Sequence, residues 1–156
     1  MSRDLKKIRS IADYQFGQGC GAALFPEESS IEYSKNTGRI RLIKHDQALL
    51  ASLNPTNGMF TLTIEGAKRL VSAVKGLGCV VTVQDDVADY ISEGRNVFAR
   101  HILDAGEAIR PGDEAIVLDS KKRVLAVGRA LLNRREMLAF NVGVAVKTRR
   151  GRNRNS

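Results

Sequence analysis

Residue types that commonly build metal sites and nucleophilic sites are scarce in this chain. Among 156 residues there are two cysteines, Cys20 and Cys79, and two histidines, His45 and His101. No cysteine lies at a short ligand spacing from the other or from a histidine, so a structural zinc site is not expected. Isolated cysteines are typical of a reduced, cytosolic chain. The sequence therefore predicts no cofactor or metal and a cytoplasmic location, although a Cys–His nucleophilic pair stays open.

Long apolar runs and nucleotide-binding motifs are absent as well. Apolar runs such as residues 115–118 have the length of a strand and fall far short of the ~18 residues of a membrane span. No phosphate loop or dinucleotide fingerprint appears. The cluster Asp85, Asp86 and Asp89 is more typical of the acidic first turn of a helix than of a metal or acid–base site. These observations argue against a membrane protein and against an enzyme that acts alone.

Positive charge, by contrast, is in excess, and it lies at the two ends. The formal net charge is +8. Residues 1–9 carry four basic side chains against one acid, and residues 141–156 carry five against none, so the 131 residues between them are balanced. Clustered positive charge suits a polyanion, because each phosphate that a cation neutralises releases condensed counterions. The alternative is that basic tails only keep the protein soluble.

Hydrophobic periodicity and turn residues predict two small domains of α+β class. In residues 1–74, a helix, a small antiparallel sheet and a second helix capped by Thr63 indicate an α+β domain. The two glycines within residues 75–78 favour a linker. Residues 79–150 have the short strands and helices of a small mixed β-barrel, and residues 151–156 form a basic tail.

Local signals in the second half concern helix ends and backbone contacts. Gly94 is predicted to end a helix that Asp85 or Asp86 caps, and to leave the neighbouring amides open to a phosphate. Asn133 and Glu136 have the spacing of a capping box. Gly128, on the small-residue face of a strand, predicts the close approach of another strand or helix. Its neighbour Arg129 is expected to keep its head in water, with a phosphate contact as the alternative.

Five segments of the second half keep the order and spacing of a known family. They are residues 91–94 (ISEG), 97–99 (VFA), 110–114 (RPGDE), 126–130 (AVGRA) and 143–147 (GVAVK). Residues 79–150 thus resemble the PUA domain, the RNA-binding pseudobarrel of pseudouridine synthases and archaeosine transglycosylases. The first half resembles the domain that precedes PUA in archaeal tRNA-guanine transglycosylase and archaeosine synthase. The segments that carry this likeness are residues 12–17 (ADYQFG), 23–26 (ALFP), 37–41 (TGRIR) and 60–67 (FTLTIEGA).

The resemblance implies a PUA-like mixed β pseudobarrel and an RNA-binding surface on it. In PUA domains, RNA lies against the glycine turn after the first helix and against the last strand. Carried over to this chain, the RNA-binding candidates are Gly94, Arg95, Asn96, Val97, Phe98, Lys147, Arg149 and Arg150. The apolar flanks of Phe98 favour a core position over a base-stacking platform.

The same resemblance implies a function without catalysis. The enzymes of the family carry their catalytic aspartate and zinc cysteines in a large barrel domain that has no counterpart in this sequence. We therefore expect a non-catalytic tRNA-binding protein that presents or positions RNA in archaeosine-type or related tRNA modification. Alternatives are an accessory subunit of a separate transglycosylase catalytic chain, and a PUA protein of ribosome or initiation-factor type. The expected partner is structured RNA, above all tRNA, and homo-oligomerisation stays open.

Overall fold

The computed structural model describes residues 1–153, and the chain divides into two compact units at residues 76 and 77. Residues 154–156, the end of the predicted basic tail, lie outside the described residues. Within residues 1–153, no helix is both long enough and apolar enough to cross a membrane.

Within residues 1–76, the first unit combines three helices with a four-stranded antiparallel sheet. The helices are α1 (Arg3–Phe16), α2 (Cys20–Leu24) and α3 (Ile64–Ala73). The strands are β1 (Ser30–Tyr33), β2 (Ile40–His45), β3 (Ala48–Leu53) and β4 (Phe60–Leu62), and they lie in chain order across the sheet. The predicted α+β character of the first half is thus confirmed.

Residues close in sequence determine where the helices of this unit begin and end. Helix α1 begins after Ser2, whose hydroxyl accepts a hydrogen bond from the Leu5 amide at 3.1 Å. It ends at Gly17, whose amide donates to the Asp13 carbonyl at 2.9 Å. Helix α3 begins after Thr63, whose hydroxyl accepts from the Gly66 amide at 3.0 Å, so the predicted cap is confirmed. Such caps satisfy amides that have no partner within the helix.

Between residues 77 and 153, the second unit is built on a six-stranded mixed sheet. Its strands are β5 (Val80–Val83), β6 (Val97–Phe98), β7 (Ile102–Ala105), β8 (Glu114–Leu118), β9 (Val124–Ala130) and β10 (Val144–Gly151). The helices are α4 (Ala88–Ser92) and α5 (Arg134–Ala139), and 3-10 turns cover Asp85–Val87 and Ala99–His101. The strand order is β6-β10-β9-β8-β5-β7, in which β5 and β8 are parallel and the other pairs are antiparallel. The predicted mixed β architecture is confirmed.

Strands β8 and β9 form the buried centre of this sheet. Every residue of β8 is buried, and in β9 Arg129 is exposed while the other six are buried. Strands covered on both faces are hydrophobic along their length, which explains the apolar run at residues 115–118. Helix α5 packs beside this core and begins with the predicted capping box, in which Asn133 and Glu136 exchange hydrogen bonds of 2.9 Å. Strand β10 pairs with β9, so its position is set by these buried central strands.

Neither Asp85 nor Asp86 caps a helix, so that prediction is wrong: α4 begins after Val87, without a capping bond from a side chain. The 3-10 turn that contains it begins after Gln84, without a capping bond from a side chain. The Asp85 carboxylate instead accepts hydrogen bonds from the Ser120 hydroxyl at 2.6 Å and the Ser120 amide at 3.0 Å. These two bonds, the hydroxyl's first, hold the pKa of Asp85 below its ordinary value. The partner lies 35 residues away, beyond the reach of a local pattern.

Asp119 is a buried carboxylate that holds the turn between β8 and β9. It is 1% exposed, and it accepts from the amides of Lys121 and Arg123 at 3.0 and 2.9 Å and from Arg123 Nε at 2.7 Å. Burial raises the pKa of this carboxyl, but the backbone and side-chain bonds from Arg123 outweigh burial and leave the pKa below its ordinary value. The turn is therefore stabilised by the ionised form.

Replacing Asp119 by asparagine is expected to lower the free energy of unfolding by about 1–3 kcal/mol at neutral pH. A carboxylate with a lowered folded-state pKa stabilises above its unfolded value of about 4, and this stabilisation is lost as the pH falls through the folded value. The variant should therefore lose less stability than the wild type between about pH 5 and pH 2. Urea unfolding across this range measures both effects. An exposed-site control, Asp86→Asn, should behave like the wild type, and equal acid slopes for wild type and Asp119→Asn would contradict the assignment.

Candidate nucleic-acid interface

Helix α4 ends in a Schellman turn at Gly94. The Gly94 amide donates to the Ile91 carbonyl at 2.9 Å, and the Arg95 amide donates to the Tyr90 carbonyl at 3.2 Å. Gly94 has a φ of 102°, which glycine adopts at no steric cost. The predicted helix end is confirmed. The prediction that the amides around Gly94 stay open to a phosphate is wrong for Gly94 and Arg95. Both amides already donate hydrogen bonds to carbonyls at the end of α4.

The end of β10 lies directly on this turn. A Cβ atom added to Gly151 would stand 2.2 Å from the Ser92 carbonyl oxygen and 2.5 Å from the Gly94 nitrogen. Closer to the middle of the strand, the Thr148 amide donates to Asn96 Oδ1 at 3.0 Å. The glycine turn and the last strand, about 55 residues apart in the chain, are thus neighbours in the fold. The eight RNA-binding candidates all lie at these two places.

Phe98 lies on the outer face of the sheet, so the predicted core position is wrong. Val97 and Val146 are opposite each other on β6 and β10, and both are fully buried. Side chains alternate along a strand, so the residues that follow them, Phe98 and Lys147, point away from the core. Phe98 is 41% exposed, and Lys147 is exposed too. The apolar flank Val97 fills the core position that the sequence assigned to Phe98.

Lys147 and Arg129 form an exposed cationic pair on the same outer face. They are opposite each other on β10 and β9. In the described part of the chain, neither forms an ion pair. Next to Arg129, a Cβ on Gly128 would stand 2.3 Å from the Lys147 carbonyl oxygen, so the close backbone approach that Gly128 predicted is confirmed. That contact keeps the two strands close where the cations project.

Arg149 differs from Lys147 because a carboxylate faces it. Arg149 Nη1 donates to Glu114 Oε1 at 2.9 Å, and Nη2 bonds the other oxygen of the same carboxylate. Glu114 is 8% exposed and lies on β8, opposite Arg129. Although residues 141–156 contain no acid, the charge of Arg149 is therefore paired within the fold. Strand order brings the two partners together across 35 residues of sequence.

Three further residues adjoin the candidates and were not selected from the sequence. The Arg95 guanidinium carbon lies 5.9 Å from the centre of the Tyr90 ring, and that of Arg100 lies 5.4 Å from the centre of the Phe98 ring. The rings of Phe98 and His101 meet edge to face at 6.2 Å. The aromatic and basic residues close together in residues 98–101 are a signal that could have identified Arg100 and His101, whereas Tyr90 lies outside that segment, in α4. Guanidinium groups over aromatic rings are stabilised by the ring quadrupole.

These groups compose one chemical surface, which we call the β6–β10 surface. It consists of Arg95, Phe98, Arg100, Arg129, Lys147 and Arg150, all exposed. Cations of this kind bind phosphate oxygens, and exposed rings and guanidinium planes stack on bases. Within residues 1–153, no group of three or more His, Cys, Asp and Glu side chains is placed to hold a metal ion. The surface suits a ligand that carries both phosphate groups and aromatic bases.

Two family models match this chain, one for each half. Residues 6–76 match the patch-forming domain C2 of tRNA-guanine transglycosylase, and residues 80–152 match the PUA domain. The second unit is a PUA domain. The resemblance inferred from sequence segments is thereby confirmed for both halves of the chain.

Curated relatives carry the name tRNA-guanine(15) transglycosylase. The protein from Methanobrevibacter smithii is 41% identical over 148 residues, which cover 95% of this chain and 22% of the relative. The protein from Thermococcus kodakarensis is 40% identical over 146 residues, covering 94% of this chain and 25% of the relative. The chain therefore spans about a quarter of the length of the relatives it matches.

Solved structures share the fold along almost the whole chain. A hypothetical protein from Pyrococcus horikoshii OT3 has a TM-score of 0.71 at 22% identity, covering 98% of this chain and 93% of its own. A conserved PUA domain protein from Thermoplasma acidophilum has a TM-score of 0.63 at 20% identity, with coverages of 98% and 92%. At these identities the likeness concerns the fold, and it confirms the predicted fold class.

Proposed function

We propose that this protein binds structured RNA, tRNA above all, through the β6–β10 surface, and that it presents or positions RNA in tRNA modification. The observation that carries the proposal is the exposed pair Arg129 and Lys147 next to an exposed aromatic ring on the strand beside the Gly94 turn. The relatedness to proteins named tRNA-guanine(15) transglycosylase supports tRNA as the ligand. The function is proposed to be cytoplasmic and to need no cofactor.

The candidate residues divide into contacting and positioning groups under this proposal. The groups that contact phosphates are the cations of Arg95, Arg129, Lys147 and Arg150. Lysine binds a phosphate as a point charge, and arginine can bind it with two parallel hydrogen bonds. Phe98, with Arg100 above its ring, stacks on an unpaired base, a contact worth about 1–3 kcal/mol.

The remaining candidates hold these groups in place. Gly94 shapes the turn, Asn96 fastens β10 through the Thr148 amide, and Val97 anchors β6 in the core. Arg149 contributes less to RNA binding than Lys147, because Glu114 already neutralises its charge.

Two domains are proposed as the carriers of this function. Residues 1–74 form the first and residues 79–150 the PUA domain, with residues 75–78 as the linker and 151–156 as a basic tail. RNA binding, rather than catalysis, is the proposed activity of both.

A second candidate function is that of an accessory subunit, which docks on a separate transglycosylase catalytic chain. The match of residues 6–76 to a transglycosylase domain favours this function. Co-purification, with activity that requires both chains, would support it.

Filter binding of intact tRNA between 50 and 200 mM salt tests the leading proposal. If about four cations of the surface neutralise phosphates, the affinity should fall roughly 100-fold across this range. Acceptor-stem and anticodon fragments, compared with intact tRNA, locate the bound region. A duplex DNA with the same number of phosphates is the control. Affinity that does not change with salt, or equal affinity for that duplex, would refute specific binding of structured RNA.

A further inference from the structure

Helix α1 of the first unit carries an exposed stripe that the proposed PUA surface does not include. We call it the α1 stripe; its members are Arg3, Lys6, Lys7, Ser10 and Tyr14. At about 100° per residue they fall within an arc of about 100°. The buried residues Leu5, Ile8, Ala12 and Phe16 occupy the opposite side. Tyr14 lies at the C-terminal end of the stripe and is 83% exposed, so its ring does not pack in the core.

The three cations of the stripe lie where they do not stabilise the helix. Arg3, Lys6 and Lys7 belong to the first turns of α1, and its last turn has no basic residue. Cations near a helix N-terminus oppose the helix dipole, whereas cations near the C-terminus are favoured by about 0.3–1 kcal/mol each. Residues that violate a local rule are expected at functional sites. Helix stability therefore does not account for this arrangement.

The acids of the same helix accept hydrogen bonds from groups outside it and form no ion pair with these cations. Asp13 Oδ1 accepts from the Gly21 amide at 2.7 Å, and the Asp4 carboxylate accepts from the Tyr33 hydroxyl. Across residues 1–153, none of Arg3, Lys6 and Lys7 takes part in an ion pair. The stripe is thus a local concentration of positive charge that lacks a partner in its own unit.

We propose that the α1 stripe is a second RNA-binding site, which holds a sugar–phosphate backbone through Arg3, Lys6 and Lys7. Tyr14, about 10 Å along the helix from Lys7, packs on a ribose or base of the same strand. The proposal rests on RNA being the ligand of the protein, and it adds a contact on a unit that the β6–β10 surface does not contain. A lipid surface fits less well, because the apolar side of α1 is buried in the core and no apolar face remains for insertion.

The test is tRNA binding by the full chain carrying Lys6→Glu and Lys7→Glu. The affinity should fall at least 10-fold at 100 mM salt, and the slope of log K against log salt should decrease by roughly 2, about one for each lysine. The control, Lys68→Glu with Lys75→Glu, makes the same charge change at two exposed lysines of the first unit and should change affinity less than about 3-fold. Lys68 lies 3.8 Å from Glu65, but a pair this exposed contributes little to stability. Tyr14→Ala should lower the affinity about 5- to 10-fold and leave the slope unchanged.

The outcomes separate this inference from the proposed function. Glutamate near the N-terminus of α1 favours the helix, so the Lys6, Lys7 variant should melt no lower than the wild type, and a loss of affinity cannot be attributed to unfolding. A wild type that does not bind tRNA would refute the proposed function itself. A wild type that binds tRNA, with the variant equal to its control in affinity and slope, would overturn the α1 stripe alone. Loss of binding to anionic phosphatidylserine vesicles, with tRNA binding intact, would overturn it in favour of a lipid site.

Discussion

Simultaneous replacement of Arg129 and Lys147 by glutamate is expected to lower the affinity for tRNA about 100-fold at 100 mM salt. The two side chains are opposite each other on the outer face of β9 and β10, so one phosphate segment can contact both. Each charge-assisted hydrogen bond is worth about 1.5–3 kcal/mol, and losing about 3 kcal/mol in total corresponds to this factor. Filter binding between 50 and 200 mM salt should also show a slope reduced by about two.

A matched control distinguishes this surface from net charge. Lys121→Glu with Lys122→Glu makes the same charge change in the β8–β9 turn, about 20 Å from Arg129 along the strand. It should retain most of the affinity. Glutamate at position 129 would face Glu114, and two like charges opposite each other destabilise a sheet. A second double variant with glutamine at positions 129 and 147 avoids this repulsion, so a loss of affinity in that variant does not come from unfolding. Equal losses in the test and control variants would show that total charge, not the β6–β10 surface, binds RNA.

Gly151→Ala is expected to destabilise the second unit by about 3 kcal/mol. The new Cβ would meet the Ser92 carbonyl oxygen at 2.2 Å, and backbone atoms cannot move aside as a flexible side chain can. Overpacking of this kind costs about 1–3 kcal/mol, and a contact with backbone belongs at the upper end. Native-state hydrogen exchange of the slowest amides in β8 and β9 measures the stability of this unit directly.

Gly78→Ala is the control for that substitution. A Cβ at Gly78 meets no atom within 4 Å, and like Gly151 this residue has no positive φ. The change should be neutral or should stabilise by up to about 1 kcal/mol, since alanine restricts the unfolded chain. Affinity for tRNA should fall with Gly151→Ala, because the end of β10 would leave the Gly94 turn. Unchanged protection in that variant would mean that the strand end does not rest on the turn.

Features decided within about four residues were predictable from the sequence. Thr63 caps α3, Asn133 and Glu136 form the capping box of α5, and Gly94 ends α4. Each of these depends on a side chain or backbone torsion that acts on its own turn. The helix cap expected at Asp85 failed for the complementary reason. The Asp85 carboxylate accepts its hydrogen bonds from Ser120, in the turn after β8, and not from the amides of the helical turn that follows it.

The candidate surface was only partly predictable. Glycine placement and charge identified the Gly94 turn and β10, which the fold does bring together. They did not indicate which member of the pair Val97 and Phe98 enters the core, because both are apolar and the strand has only these two residues. They also did not reveal that Arg149 is matched by Glu114, or that Arg129 faces Lys147.

The sequence by itself determined the α+β first half, the mixed β second half, the PUA resemblance and the excess of positive charge at both ends, since caps, turns, periodicity and composition are properties of neighbouring residues. The tertiary structure alone decided which cations stay exposed and which meet a carboxylate. The reason is strand register: pairing of β8, β9 and β10 places Glu114, Arg129 and Lys147 side by side although the chain separates them. A register shifted by one residue would turn these side chains to the other face of the sheet and leave no such surface.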